Sequence, residues 1–193
     1  MWREKIKRNL NNMGSLCFLS ACLSYILSQS YWKIRLKKLG KSSWIHRGVI
    51  IQNPRNVSIG DNFKIYHRVF MGVGRKGAIE IGDNGHIGVD AYFNASEGRI
   101  RIGNNVVIAP KAQIYSYSNA CQDNKPVLDS YEVSDVTIDD HVWIGAGAII
   151  LPGVKLSRGA VVGAGAVVTE SIRENEICAG SPAKFIRKRI FGA

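Results

Sequence analysis

Histidines are the side chains best suited to acid–base chemistry here, since imidazole alone has an ordinary pKa near neutral pH. The chain contains four: His46, His67, His86 and His141. A general base of this kind assists any reaction in which a hydroxyl must lose its proton. The cysteines offer less, because they form neither the C-x2-C pairs of a zinc site nor a disulfide framework. We expect reduced thiols and no metal site from Cys17, Cys22, Cys121 and Cys178.

The charge of the chain points to an anionic ligand. Lys and Arg number 26 against 15 Asp and Glu, which gives a net charge of +11 and a pI near 9.7. Such an excess suits phosphorylated ligands, acidic membrane surfaces or nucleic acid. No DNA- or RNA-binding motif accompanies it, so nucleic acid is not predicted as a partner.

The first 44 residues form a basic segment predicted to be helical over residues 2 to about 38. It contains an apolar run of 13 residues, Ser15 to Leu27, which falls short of the ~20 that a membrane span requires. No small-residue cleavage site of a signal peptide follows, so we expect a cytoplasmic protein. Two interpretations stay open: packing on the rest of the protomer or a neighbour, or peripheral contact with the inner face of a membrane.

Beyond residue 45 the sequence repeats with a period of six, which fits neither a helix nor an ordinary strand. Stacked hexads of this length predict a solenoid in which three hexads, 18 residues, make one triangular coil. The aliphatic residue of each hexad should point into the core, and the small residue after it should allow the chain to turn. The aliphatic positions are Ile59, Ile65, Met71; Ile81, Ile87, Phe93; Ile102, Ile108, Ile114; Ile138, Ile144, Ile150; and Leu156, Val162, Val168.

The solenoid is predicted to cover residues 45–178, with a basic tail at 179–193. Its largest interruption is a polar excursion over residues 115–136. Insertions of this kind are surface loops and often lie on the binding face.

The hexads and the closing segment Ala179-Gly180-Ser181-Pro182-Ala183-Lys184 resemble the hexapeptide-repeat acyltransferases, in particular the maltose, galactoside and polysaccharide O-acetyltransferase branch. The likeness covers residues 55 to 188 and is most specific in Val142-Trp143-Ile144-Gly145-Ala146-Gly147, Leu151-Pro152-Gly153-Val154 and Val162-Gly163-Ala164-Gly165. It implies a mainly β fold, a left-handed parallel β-helix. It also implies a homotrimer whose active sites lie between protomers and use acetyl-CoA as acyl donor.

Matched residue by residue, the resemblance places Ala146 and Ala164 against the pantetheine arm of CoA, with Thr169 nearby. Lys184 and Arg187 fall where family members hold the nucleotide end, and their charges suit its phosphates.

On the acceptor side, Asn94 falls at a substrate-contacting position and Glu97 near an acidic one. The catalytic histidine of the family is absent: maltose-type enzymes carry it at the position of Asn119, and many polysaccharide acetyltransferases carry one at Tyr117. An asparagine amide cannot act as a base. His141 begins the coil after the excursion and is the candidate replacement.

Three functions therefore stay open. The first, which the resemblance favours, is O-acyl transfer to a hydroxyl of a sugar or glycolipid in surface polysaccharide biosynthesis. The second is a catalytically silent relative that binds CoA or a glycan. The third is N-acyl transfer to an amino sugar, where a neutral amine needs less help from a base.

Overall fold

The architecture is a triangular solenoid of six complete coils and the beginning of a seventh. A computed structural model describes residues 28–121 and 125–190. Residues 28–35 are helical, and every later strand is short. The strands of successive coils are β1 (Lys38–Leu39), β2 (Trp44–Ile45), β3 (Ile50–Ile51); β4 (Val57–Ile59), β5 (Lys64–Ile65), β6 (Phe70–Val73); β7 (Ala78–Ile81), β8 (His86–Ile87), β9 (Tyr92–Ala95); β10 (Arg99–Ile102), β11 (Val107–Ile108), β12 (Gln113–Tyr115).

A hairpin then leaves the solenoid, formed by β13 (Tyr117–Asn119) and β14 (Tyr131–Val133), with a 3-10 turn at Val127–Asp129. The coils resume with β15 (Val136–Ile138), β16 (Trp143–Ile144), β17 (Ile149–Ile150); β18 (Lys155–Leu156), β19 (Val161–Val162), β20 (Val167–Val168). The chain ends on β21 (Glu176–Ala179) and β22 (Lys184–Lys188), which pair antiparallel. The polar excursion predicted from the sequence is thus this hairpin.

Three parallel sheets form the faces of the prism. The first sheet has the order β1-β4-β7-β10-β15-β18, the second β2-β5-β8-β11-β16-β19-β21-β22, and the third β20-β17-β12-β9-β6-β3. Apart from the antiparallel pair of β21 and β22, strands that neighbour each other in these sheets belong to successive coils, so the parallel backbone ladders join each coil to the next. The predicted left-handed parallel β-helix is confirmed.

The hexad periodicity is the physical cause of this arrangement. The apolar hexad residue of each strand points inward and stacks on its equivalent in the next coil, as Ile87, Ile108 and Ile144 do in register. All three are fully buried. Truncating such a side chain to alanine costs about 2–5 kcal/mol, because the rigid coils cannot collapse into the space.

Two of the three corners rely on residues that tolerate a left-handed backbone. The first corner, between the first and second sheets, places an asparagine with positive φ there in four coils, and His141 occupies the same position with φ 60°. The second corner, between the second and third sheets, uses Gly48 in the first coil and Gly147 and Gly165 in the last two complete coils, while Arg68, Asp90 and Lys111 adopt the same positive φ in the three coils between. Asparagine and glycine adopt this conformation at the lowest cost.

A ladder of side-chain caps runs along the first corner. The backbone N–H of Lys41 donates to Oδ1 of Asp61 at 2.7 Å, and that of Asp61 donates to Oδ1 of Asp83 at 2.7 Å. The backbone N–H of Asp83 donates to Oδ1 of Asn104 at 2.8 Å, and the backbone N–H of Asn104 donates to Oδ1 of Asp140 at 2.6 Å. Each of the first four coils therefore receives its cap from the coil that follows it.

The helical residues close the N-terminal end of the core. Trp32 and Leu36 are buried in the core cluster, whereas Ile34 is 70% exposed. Most of the helix predicted over residues 2–38 lies outside the described residues. Within the part of the chain that the structure describes, no helix is long and apolar enough to span a membrane.

Candidate active site

The hairpin lies at the third corner, where the chain passes from the third sheet to the first sheet of the next coil. Tyr117 pairs with Val133, and Asn119 with Tyr131, in an antiparallel register. Asn119 is exposed, and its Nδ2 donates to the carbonyl of Val127 at 3.1 Å. The side chain at the position of the family histidine therefore ties β13 to the 3-10 turn that precedes β14.

Tyr117 lies in the first arm of the hairpin, β13. Its ring stacks on Tyr131 with centroids 5.5 Å apart. Partial burial raises the pKa of Tyr117 above its usual value, and the neighbouring Tyr131 and the carboxylate of Glu97 raise it further. Because the phenol stays protonated at neutral pH, Tyr117 can donate a hydrogen bond but cannot remove a proton.

Asn94 lies beside the base of this hairpin. It pairs in register with Tyr115, two residues before Tyr117. Its Oδ1 accepts hydrogen bonds from the Ser96 hydroxyl at 2.7 Å and the Ser96 backbone N–H at 3.3 Å. These bonds fix the amide so that Nδ2, which has no hydrogen-bond partner among the described residues, is available to a ligand.

Glu97 completes the group on the acceptor side. Its carboxylate lies 3.6 Å from Nζ of Lys76, and both side chains are well exposed. Its charge acts on Tyr117, as the pKa of that phenol shows. The structure thus brings Asn94, Glu97 and Tyr117 to one edge of the prism. Sequence reasoning missed Ser96 and Lys76, which orient the first two, because their contacts follow from the tight turn after β9.

Ala146 and Ala164 lie on the second corner, at the opposite edge of the third sheet. The Gly165 N–H donates to the Ala146 carbonyl at 2.8 Å, so the two corners stack directly. A Cβ on Gly145 would lie 2.5 Å from the backbone nitrogen of Ala164, so only glycine allows this approach. Both alanines are exposed, and they form a smooth strip along which a slender chain can lie.

The basic C-terminal strand continues that strip. Lys184 pairs with Ala179, which packs closely on Gly163 of the preceding coil. A Cβ added to Gly163 would lie only 2.6 Å from the Cβ of Ala179. Arg187 pairs with Ile177, and both basic side chains are exposed. Thr169 is also exposed and directly follows β20 on the third sheet. Ala146, Ala164, Lys184 and Arg187 therefore share the second corner and the end of the prism beyond it, whereas Thr169 lies across the third sheet, in the same column as Tyr115 and Asn94.

The histidines lie elsewhere in the protomer. His141 sits on the first corner, where its carbonyl accepts a hydrogen bond from Arg189 at 3.4 Å. His46, His67 and His86 lie on the first three coils of the second sheet, and Nδ1 of His46 is 3.0 Å from Nε2 of His67. Burial, together with the charges of His67 and Lys64, lowers the pKa of His46 to about 4. Within one protomer no histidine shares the third corner with the hairpin.

Comparison with known proteins supports the fold. Residues 135–170 match the family model "Bacterial transferase hexapeptide (six repeats)". The chain is 34% identical over 170 residues to the dTDP-4-amino-4,6-dideoxy-D-glucose acyltransferase of Escherichia coli, covering 81% of this chain and 87% of that protein. The chain belongs to the hexapeptide-repeat acyltransferases.

Other members of the family show the range of similarity. The putative lipopolysaccharide biosynthesis O-acetyl transferase WbbJ of Escherichia coli is 32% identical over 148 residues, covering 72% of this chain and 74% of WbbJ. The N-acyltransferase AntD of Bacillus cereus, solved with dTDP-4-amino-4,6-dideoxyglucose and coenzyme A, superposes with a TM-score of 0.79 at 27% identity. The superposition covers 87% of this chain and 91% of AntD. The chain spans little more than half the length of two yeast acetyltransferases that it also matches.

In this hexapeptide-repeat protein the two halves of the candidate site lie on different edges of one prism. The strip of Ala146 and Ala164 is at the second corner, and the group of Asn94, Glu97 and Tyr117 is at the third. The whole width of the third sheet separates them. One protomer therefore does not assemble the candidate site alone, whereas a neighbouring copy can bring its strip against this hairpin.

Proposed function

We propose that this protein transfers an acyl group from acetyl-CoA or a related acyl-CoA to the amino group of a nucleotide-linked amino sugar. The observation that carries the proposal is the absence of an imidazole from the hairpin, where Asn119 donates a hydrogen bond to the Val127 carbonyl. The hairpin supplies a neutral phenol and an amide, which bind and orient but do not remove a proton.

An amine acceptor fits such a site because its nitrogen is already a nucleophile when neutral. The nitrogen attacks the thioester carbon, the C–N bond forms, and the C–S bond breaks as the tetrahedral intermediate collapses. The amine proton is lost only after attack, and it passes to solvent or to the departing thiolate. A hydroxyl acceptor needs its proton removed during attack, which is where a general base contributes about 10²–10⁴-fold.

Each residue has a role in this reaction. The free Nδ2 of Asn94 donates to an oxygen of the acceptor sugar. Glu97 attracts the amino group of that sugar when the group arrives protonated, and the proton then passes to solvent, so that the neutral nitrogen attacks. The protonated Tyr117 donates a hydrogen bond to the acceptor or to the developing oxyanion. The strip of Ala146 and Ala164 receives the pantetheine arm, while Thr169, Lys184 and Arg187 serve the rest of CoA, the last two through its phosphates.

A homotrimer is part of the proposal. It is supported by the separation of the two half-sites on the edges of the third sheet. A cyclic trimer lets the strip of each protomer meet the hairpin of the next, which gives three equivalent sites.

O-acyl transfer is the second candidate, and the 32% identity with WbbJ over most of both chains favours it. It requires a base from outside the hairpin, and His141 of a neighbouring protomer is the residue to test. Both reactions consume acyl-CoA and an activated sugar, which are cytoplasmic metabolites, and both fit the synthesis of a surface polysaccharide.

The test uses the purified chain, acetyl-CoA and two matched acceptors, dTDP-4-amino-4,6-dideoxyglucose and the corresponding 4-hydroxy sugar nucleotide. Thiol release gives the rate, and the mass and alkali stability of the product distinguish amide from ester. We expect amide formation and at least 100-fold slower ester formation. Efficient ester formation that His141→Ala abolishes would establish the second candidate instead. CoA binding without turnover of either acceptor would identify a silent relative.

A further inference from the structure

The positive charge of the described chain is concentrated at the two ends of the prism: the C-terminal strand carries Lys184, Arg187, Lys188 and Arg189 against Glu176, and the N-terminal end carries more. Between residues 28 and 60 there are seven Lys and Arg and no Asp or Glu. Between residues 61 and 175 the balance is reversed, with 11 basic and 13 acidic residues. The walls of the prism are therefore close to neutral, and the end formed by the helix and the first coil is strongly basic.

The seven cations are spread over the whole of this end. Lys41, Arg47 and Arg55 lie at the first, second and third corners of the first coil, one at each. Lys33 and Arg35 project from the helix that closes the core. Together with Lys37 and Lys38 all are exposed. Among the described residues none of the seven forms an ion pair, so their charge is not cancelled locally.

Exposed apolar side chains lie among these cations. Ile34 is 70% exposed, Ile50 57% and Tyr31 48%. Tyr31, Arg35 and Ile50 line an open depression of about 440 Å³ between the helix and the first coil. Basic residues interspersed with aliphatic and aromatic ones are typical of surfaces that rest on the headgroup region of an anionic bilayer. The cations would also bind the phosphates of a nucleic acid, but the exposed isoleucines would make no favourable contact with it.

The sequence that leads into this end has the same character. The described chain starts at Ser28, and the preceding 27 residues include Arg3, Lys5, Lys7 and Arg8 and the apolar run of residues 15–27. The basic and apolar composition therefore continues directly from the surface into the neighbouring sequence.

We propose that the N-terminal end of the prism, residues 28–60, docks on an anionic phospholipid membrane. In the proposed cyclic trimer the same end of every protomer faces the same side of the ring, so one flat surface would meet three such ends at once. Docking would hold the enzyme at the membrane while both half-sites, on the walls of the prism, stay open to solvent.

The experiment is sedimentation of the full chain with vesicles of phosphatidylcholine, with or without about one third phosphatidylglycerol. The test variant is Lys41→Gln/Arg47→Gln/Arg55→Gln, one substitution per corner of the first coil. The control variant is Arg75→Gln/Arg158→Gln/Arg173→Gln, which removes the same charge from exposed positions further along the prism. Each cation near an anionic surface contributes up to about fivefold in binding. We expect at least tenfold weaker partitioning for the test variant and a change of no more than about twofold for the control.

Added salt should weaken the binding, and Ile34→Ser should weaken the part that persists at high salt. Thermal unfolding of each variant confirms that it folds, and acyl transfer to a dissolved acceptor should be unchanged in the test variant, which keeps this result separate from the catalytic proposal. Equal partitioning of the two triple variants, or equal binding to neutral vesicles, would overturn the proposal. So would tight binding to inorganic polyphosphate or a short DNA duplex together with no binding to vesicles.

Discussion

Replacing Asn119 by histidine tests whether the hairpin limits the protein to amine acceptors. The substitution places an imidazole where maltose-type relatives carry their base, in an exposed strand that pairs with Tyr131. It removes the hydrogen bond from Asn119 to the Val127 carbonyl, which is worth about 0.5–1.5 kcal/mol at most and less at this exposed position. The core of the solenoid is untouched, so the fold should survive.

The expected effect differs between acceptors. The hairpin itself offers no base to a hydroxyl acceptor, and a correctly placed base is worth about 10²–10⁴-fold. With imperfect geometry we expect Asn119→His to raise ester formation and acyl-CoA hydrolysis by at least about tenfold. An amine acceptor attacks while neutral, so amide formation should change by less than about threefold.

The assay follows thiol release with each acceptor over pH 5 to 8, since the gain should appear only as the new imidazole loses its proton. Asn119→Ala is the matched control, because it loses the same hydrogen bond without supplying a base. If Asn119→His accelerates amide formation as strongly as ester formation, proton removal limits both reactions and the argument for an amine acceptor is wrong.

Three further predictions concern assembly, the cofactor and pH. Sedimentation at micromolar concentration should show a trimer, and a monomer with full activity would rule out a site shared between protomers. Lys184→Ala/Arg187→Ala should weaken CoA binding at least tenfold in low salt, and the loss should shrink as the salt concentration rises. Equal affinities of the variant and the parent protein in calorimetry would show that the strand is only a solvated end. Because the pKa of His46 is depressed to about 4 from about 6.5, the unfolded chain binds more protons between these values, so stability should fall as the pH drops through that window. His46→Asn should flatten this slope in thermal melts, and an unchanged slope would assign it to other groups.

The sequence predicts the solenoid well because its period is unusual. Residues such as Ile108 and Ile144 recur where a helix or a flat sheet would not place them, and each proved to be fully buried. The small residue after each aliphatic one, such as Gly145, is explained by the 2.5 Å approach of the next coil. Both signals are local and repeat many times, so they survive individual exceptions.

The candidate site is less predictable, because its contacts join parts of the chain that the repeat does not relate. The two arms of the hairpin pair across a stretch without hexads, and nothing in the sequence indicates that Asn119 bonds to Val127. The orientation of Asn94 by Ser96 depends on one turn after β9. Likeness to the family indicated which residues are candidates for the site, and only the structure shows that they occupy two edges of the prism.

The ladder of caps along the first corner also bears on how the protein is made. The backbone N–H of Lys41 bonds to the carboxylate of Asp61, 20 residues later in the chain, and that of Asn104 bonds to the carboxylate of Asp140, 36 residues later. During synthesis, each of the first four coils is thus completed only when the next coil has emerged from the ribosome. A nascent chain should therefore consolidate in one direction, one coil behind the point of synthesis, with the longest delay where the hairpin separates Asn104 from Asp140.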